Sequence, residues 1–158
     1  MRLALHTDLA LRTLMFLTGC QTRSNISEIA TFYGVSEGHL AKVVQRLARE
    51  GFVRSVRGVG GGVELAMPAE EITIGEVVSR FEGSMNLLDC VAIENLCVIQ
   101  PGCKLRHVLI EAERLQTDYL NSIRLSDVVR PGQDLVQLTR AAAAPSRRRA
   151  PSQSEGSQ

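Results

Sequence analysis

Apolar residues recur at helical spacing in three segments near the start of the chain. The first segment, Thr7 to about Gly19, has a broad apolar face and predicts a buried helix with Thr7 as its N-cap. A shorter helix, Ile26 to Tyr33, is predicted to end at Gly34. Ser36 is a good N-cap for a third helix, which runs to Glu50. Its apolar residues form one stripe, made of Leu40, Val43, Val44, Leu47 and Ala48. The order of the second and third helices predicts a helix-turn-helix.

A strand pattern follows the third helix directly. Phe52–Arg57 and Val63–Ala66 are predicted strands on either side of a glycine-rich tip, Gly58–Gly62. A basic hairpin in this position is typical of a wing. The predicted fold class is therefore mainly α with a small β-hairpin wing, a winged helix-turn-helix over residues 1–67 followed by a long dimerisation helix.

The second half of the chain predicts a different unit, over residues 68–130. Thr73 is a candidate cap for a helix from Ile74 to Phe81, and a non-periodic stretch, Glu82–Gly102, follows. A long helix from Cys103 to Ser122 carries an apolar stripe that a small wing domain is too small to cover. That stripe comprises Leu105, Val108, Leu109, Ala112, Leu115 and Tyr119. We therefore expect a homodimer. A short helix is predicted at Leu125–Val129, and residues 131–158 are predicted to be a disordered tail.

Composition excludes several classes of protein. The chain has 158 residues, of which 44% are hydrophobic and 22% charged, as in soluble globular proteins. No apolar run reaches the roughly 20 residues that span a bilayer, and the first 17 residues lack a signal-peptide pattern. We therefore expect a cytoplasmic protein that binds no membrane, in which four cysteines favour metal ligands or thiols over disulfides. An enzyme is not expected, because no nucleophile–base pairing or phosphate-binding glycine loop is found.

Charge is unevenly distributed along the chain. Residues 1–67 contain eight Lys or Arg and five Asp or Glu, whereas residues 68–140 contain seven basic and eleven acidic residues. The basic front half is compatible with a polyanion such as double-stranded DNA, although charge alone fits a normally solvated surface as well. At the start of the third helix, Ser36, Glu37 and His39 are candidates for contacts with base edges. Candidates for phosphate and minor-groove contacts are Lys42, Arg46 and Arg54 for phosphates, and Arg57 for the minor groove.

Three cysteines lie close together. Cys90, Cys97 and Cys103 are separated by six and then five residues, in a loop that enters the long helix. Soft thiolates on a loop favour an iron–sulfur cluster, whereas structural zinc sites have closer cysteine pairs. Three unrelated buried cysteines remain an alternative. A cluster usually takes four ligands, so His107 or a carboxylate elsewhere in a dimer is needed.

Three motifs together resemble a known family. They are the opening Met1–Asp8, the wing sequence Arg57–Leu65 and the three spaced cysteines. The chain resembles the iron–sulfur winged-helix regulators that include NsrR and IscR, over about Met1 to Val129, and within them the nitric-oxide-sensing repressors of the NsrR type. His6-Thr7-Asp8 and Cys97–Cys103 are the nearest matches.

The resemblance implies a specific mechanism. A homodimer binds a pseudo-palindromic operator and holds one 4Fe–4S cluster per subunit on Cys90, Cys97 and Cys103. Asp8 of the other subunit is the fourth ligand, with His107 as the alternative. Nitric oxide is the effector, and it releases repression of nitric-oxide detoxification genes.

Other functions fit parts of the same pattern. A 2Fe–2S cluster is the alternative cofactor, and a sensor of iron or iron–sulfur supply of the IscR kind is the alternative regulator. A zinc-stabilised interaction module and an electron-transfer or cluster-carrier protein are the alternatives outside transcription.

Overall fold

A computed structural model of the protein describes residues 3–83, 87–94 and 96–129. Its elements, in chain order, are α1 (Leu5–Cys20), α2 (Ile26–Tyr33), α3 (Glu37–Arg49), β1 (Val53–Val56), β2 (Gly62–Leu65), α4 (Ile74–Glu82), α5 (Asp89–Ala92), a 3-10 turn (Gln100–Gly102), α6 (Lys104–Ser122) and α7 (Leu125–Val128). The predicted fold class is confirmed. The predicted disordered tail, residues 131–158, lies outside the described residues and stays a prediction.

The N-cap of the first helix lies three residues earlier than the sequence predicts. The N-cap is Ala4, whose backbone is extended, and Thr7 is buried inside the helix. The carbonyl of Ala4 accepts from the N–H of Asp8 at 3.1 Å. The N–H of Ala4 donates to Oε1 of Glu82 at 2.7 Å. A carboxylate from a distant part of the chain therefore contacts this helix terminus, where no side-chain cap is present.

The helix-turn-helix forms where the sequence predicts it. Asn25 caps α2 in a capping box with Glu28, so two backbone N–H groups at the start of the helix are satisfied. Gly34 ends α2 with a φ of 64°, a left-handed conformation that glycine adopts without strain. Ser36 is the N-cap position of α3, as predicted, although its side chain makes no capping hydrogen bond.

The wing is an antiparallel hairpin of β1 and β2. Val53 pairs with Leu65 and Arg54 with Glu64. Ser24, just before α2, adds a short bridge to Val63 through backbone hydrogen bonds of 3.1 and 2.9 Å. The wing is therefore fixed to the helix-turn-helix from both sides.

One hydrophobic core joins the winged helix to parts of the second half. Leu14 of α1, Leu47 of α3 and Phe52 before β1 are buried in the same cluster as Val77 of α4 and Leu125 of α7. The boundary predicted at residue 67 stays a prediction. A domain boundary at residue 67 divides the chain between residues that share this core.

The long helix α6 lies against α4, and near its start it also contacts α5. None of its residues is buried. The covered side includes Leu109, which is half-buried, whereas the other apolar residues of the predicted stripe are exposed. Leu109 therefore belongs to the side facing the protein. The remaining positions, which we call the seam stripe, are Leu105, Val108, Ala112, Leu115 and Tyr119.

Within the described ranges, no helix is long and apolar enough to cross a membrane.

Candidate functional site

The outer side of α3 presents a row of polar side chains. Ser36, His39 and Lys42 are exposed there, as the sequence predicts. Glu37 is also exposed, but its Oε1 accepts a hydrogen bond of 2.7 Å from the Ser27 hydroxyl of α2. Glu37 therefore helps to fix α2 against α3, and that contact restricts its freedom to approach a base edge.

Arg46 is placed differently from its predicted role. Its guanidinium lies over the Phe81 ring at 4.5 Å, and Nη2 donates to the carbonyl oxygen of Arg80 at 2.7 Å. Nε of Arg46 is buried without a hydrogen-bond partner among the described residues. These contacts fasten α3 to α4. Arg46, a predicted phosphate contact, thus packs between these helices, and its role toward DNA stays a prediction.

Arg49 lies on the outer side of α3, where the sequence analysis expected Arg46. It follows Lys42 by seven residues, and its side chain is 74% exposed. Gln45 lies between them and is also exposed. Residues three, four and seven apart share one face of a helix. We call His39, Lys42, Gln45 and Arg49 the outer stripe of α3. Helical spacing alone allows either Arg46 or Arg49 to lie on the outer side of α3. The two arginines differ only in how far their side chains are buried.

The wing carries the other predicted basic residues. Arg54 pairs with Glu64 at 2.5 Å, and Arg23 also bonds to the Glu64 carboxylate. These hydrogen bonds, first from Arg23 and then from Arg54, hold the pKa of Glu64 below its ordinary value. Arg54 is thus partly neutralised. Arg57, at the base of the tip, is exposed and forms no ion pair with any residue that the structure describes.

Val59 stands at the tip of the wing and was missed by the sequence analysis. Its side chain is fully exposed, between Gly58 and Gly60, which both have positive φ. A large apolar side chain at the end of a basic hairpin is suited to van der Waals contact with a groove. The feature of the sequence that could have identified Val59 is a single apolar residue within a run of glycines.

The three clustered cysteines lie within residues 89–103, which we call the cysteine segment, and its described residues, 89–94 and 96–103, have little regular structure. Cys90 is in α5 and is half-buried, Cys97 is exposed, and Cys103 is the N-cap residue of α6. None of them forms a disulfide. Among the described residues, no three His, Cys, Asp or Glu side chains form a group that could hold a metal ion. The donor set nevertheless fits an iron–sulfur cluster, because it offers three thiols on one short segment.

The two candidates for a fourth ligand lie at different places. Asp8 is on the first turn of α1, where it pairs with Nε of Arg12 at 2.9 Å, and both side chains are more than two-fifths exposed. His107 is exposed on α6 and lines a shallow cleft with Glu94, Gln100 and Arg106. Either side chain is accessible to a second copy of the chain.

Cys20 lies apart from the cysteine segment. It is half-buried at the end of α1 and packs against the hydrophobic core.

Comparisons with known proteins cover both halves of the chain. The family described as "Rrf2: Iron-dependent Transcriptional regulator" matches residues 3–131. The HTH-type transcriptional regulator NsrR of Bacillus subtilis (strain 168) is 43% identical over 141 residues, which is 87% of this chain and 97% of that protein.

Solved structures show the same fold. The structure of CymR (YrzC), the global cysteine regulator of B. subtilis, superposes with a TM-score of 0.69 at 22% identity and covers 81% of this chain and 95% of that chain. T. potens IscR gives a TM-score of 0.65 at 20% identity, with 92% and 93% coverage.

Proposed function

Because the chain belongs to the Rrf2 family of transcriptional regulators, we propose that it is a DNA-binding repressor that senses nitric oxide through an iron–sulfur cluster. The sequence resemblance to this family is confirmed. The observation that carries the finer proposal is the joint presence of a winged helix with an open outer stripe and three thiols on one segment.

DNA contacts are assigned from exposure. Ser36 and His39, at the start of α3, face base edges in the major groove, and Lys42 and Arg49 contact phosphates on either side. Arg57 and Val59 enter the minor groove at the wing tip. Arg54 contributes a weaker phosphate contact, because Glu64 already pairs with it.

A homodimer is proposed from the seam stripe of α6. Its members repeat at alternating steps of three and four residues, the spacing of a coiled-coil seam. Leu105, Val108, Leu115 and Tyr119 are each more than half exposed. A second copy of this helix covers that row, and the two α3 helices then reach successive major grooves of a pseudo-palindromic operator.

Cys90, Cys97 and Cys103 are the residues that would hold a 4Fe–4S cluster, with a 2Fe–2S cluster as the alternative. Asp8 of the second copy completes the ligands, and His107 is the alternative. When bound, the cluster supplies iron atoms to which nitric oxide can bind. Cys103 lies at the N-terminus of α6, where backbone N–H groups favour negative charge.

The chain offers a physical link between the ligand region and α3. His6, two residues before Asp8, has Nε2 3.0 Å from the carbonyl oxygen of Phe81, and Ala4 bonds to Glu82. Phe81 is the ring on which Arg46 of α3 lies. A shift at the start of α1 therefore moves the end of α4 and the helix that reads DNA. Only such a differential contact couples two sites.

The test is anaerobic purification with iron and sulfide counts, followed by nitric oxide titration during operator binding. We expect a brown protein that loses DNA affinity on exposure to nitric oxide. If DNA binding does not change with nitric oxide but changes with iron supply, the protein is a sensor of iron or of iron–sulfur supply. The family description as iron-dependent favours that function as the second candidate. A colourless, zinc-loaded protein would exclude the cluster.

A further inference from the structure

Gln100 lies between the second and third clustered cysteines and bonds to the chain that precedes it. Its Nε2 donates to the carbonyl oxygens of Cys90 at 2.9 Å and of Ile93 at 2.7 Å. Its Oε1 accepts from the backbone N–H of Leu96 at 3.0 Å. One amide side chain therefore uses both of its N–H donors and its oxygen on the cysteine segment.

Arg106 ties the same region to the first turns of α6. Its Nε donates to the carbonyl oxygen of Cys90 at 2.9 Å, and Nη2 donates to that of Val91 at 3.3 Å. The carbonyl of Cys90 thus accepts from two side chains, which lie on either side of Cys103 in the sequence. The backbone around Cys90 is fixed relative to the helix that Cys103 begins.

The cysteine segment needs such contacts, because it has little else to hold its shape. Within its described residues only one turn of α-helix and one 3-10 turn are regular, and Cys97 and its neighbours Leu96 and Val98 are exposed. A flexible loop loses conformational freedom when its side chains converge on one metal centre. Hydrogen bonds that order the loop beforehand reduce that loss and strengthen binding.

We propose that Gln100 and Arg106 are positioning residues that hold the cysteine segment in a preformed loop before a metal centre forms. They act through the backbone of Cys90 and its neighbours and do not touch a thiol. This inference rests on the proposed function, since it assumes that the three thiols bind a thiophilic metal. It adds two residues that are not themselves candidate ligands and that act on the ligand-bearing backbone.

The experiment uses the full chain, reduced and metal-free, with Co²⁺ alone as the probe, because thiolate-bound Co²⁺ has a charge-transfer absorption. Amide hydrogen exchange at Leu96 is measured in the same samples without metal. Gln100→Ala is expected to remove protection at Leu96 and to weaken Co²⁺ binding about tenfold, the effect of roughly one net hydrogen bond.

Two further variants separate the contacts. Gln100→Glu keeps an acceptor for the Leu96 N–H but loses both donors, so it should retain Leu96 protection and still bind Co²⁺ more weakly. Arg106→Lys keeps the positive charge but cannot donate two hydrogen bonds from a planar guanidinium to the Cys90 and Val91 carbonyls. It should therefore also weaken Co²⁺ binding. Lys104→Ala is the control, because it removes an exposed positive charge from the same end of α6 and should change neither measurement.

The outcomes distinguish the inference from the proposed function. Wild-type Leu96 exchange and Co²⁺ affinity in Gln100→Ala would overturn the positioning role and leave the metal centre standing. A loss of affinity equal in Lys104→Ala and Arg106→Lys would show a non-specific effect of substitution at this end of α6 and would overturn the role of Arg106. A wild-type chain without any thiolate–Co²⁺ absorption would overturn the proposed metal centre itself.

Discussion

A single arginine illustrates how a role depends on the environment of a side chain. Arg46 lies over Phe81 and donates to the Arg80 carbonyl, so its loss removes packing as well as charge. We expect Arg46→Ala to lower the free energy of unfolding by about 1–3 kcal/mol, the sum of a cation–π contact and a hydrogen bond. Urea denaturation measures the change.

Lys42→Ala is the matched variant on the same helix. Its side chain is exposed and makes no ion pair within the described ranges. We expect its free energy of unfolding to stay within about 0.5 kcal/mol of wild type. The plot of log binding constant against log salt concentration has a negative slope. The magnitude of that slope should decrease by about one, as for a lost phosphate contact. The assignments would be reversed if Arg46→Ala gave the salt effect and Lys42→Ala the loss of stability.

At the scale of elements, one glycine decides how closely α4 and α6 approach. A Cβ atom on Gly75 would lie 2.6 Å from the backbone nitrogen of Asn121. We expect Gly75→Ala to destabilise the protein by about 1–3 kcal/mol or more, because backbone cannot move aside cheaply. Thermal or urea unfolding measures the effect.

Gly38 of α3 provides the control for that change. A Cβ atom there has only the Ser36 hydroxyl near it, at 3.7 Å. Gly38→Ala should therefore raise the free energy of unfolding by about 0.5–1 kcal/mol through helix propensity. Destabilisation of equal size at both positions would contradict a role for helix contact at Gly75.

The contact between α1 and the end of α4 should be sensitive to acid. The pKa of the Glu82 carboxyl is held below its ordinary value of 4.5 by the nearby Thr7 hydroxyl and by the Ala4 N–H that donates to it at 2.7 Å. The Ala4 hydrogen bond is the firmer of the two, because the Thr7 hydroxyl makes no hydrogen bond of ordinary geometry with the described residues. A lowered pKa adds stability above the ordinary value, and the stability is lost as pH falls through the folded value. Glu82→Gln should therefore be less stable than wild type at neutral pH and lose less stability below about pH 5.

Urea unfolding between about pH 7 and pH 3 tests this dependence. Glu70→Gln is the control, since Glu70 is exposed and has no hydrogen bond or ion pair with the described residues. Parallel pH curves for Glu82→Gln and wild type would show that the contact adds nothing to stability.

At the scale of the whole molecule, the seam stripe should set the oligomeric state. Leu115 is 56% exposed in the middle of the stripe. Leu115→Lys places a charge where two copies of α6 are proposed to meet, so we expect it to shift the protein toward monomers and to weaken operator binding. Sedimentation velocity measures the shift.

Thr117→Lys is the matched change, because Thr117 is exposed on α6 but lies off the stripe. It should leave the oligomeric state as in wild type. A dimer that survives Leu115→Lys would place the interface elsewhere.

Local pattern predicted most of the elements. The bounds of α2 and the positions of α3, the wing, α4, α6 and α7 follow from apolar spacing, caps and glycines within one or two residues. The N-cap of α1 was predicted three residues late, because a distant carboxylate, Glu82, bonds to the N–H of Ala4. No local signal contains such a partner.

The sequence by itself determined the fold class, the family and which three cysteines are candidate thiol donors, because periodicity, turn residues and residue type are local properties. Only the tertiary structure decided which arginine of α3 is open, that Leu109 faces the protein, and that Gln100 and Arg106 hold the backbone around Cys90. These depend on which surfaces meet. Residues from distant parts of the chain can contact the same side chain. Which of these contacts forms depends on which surfaces are buried against each other, and sequence spacing does not determine it.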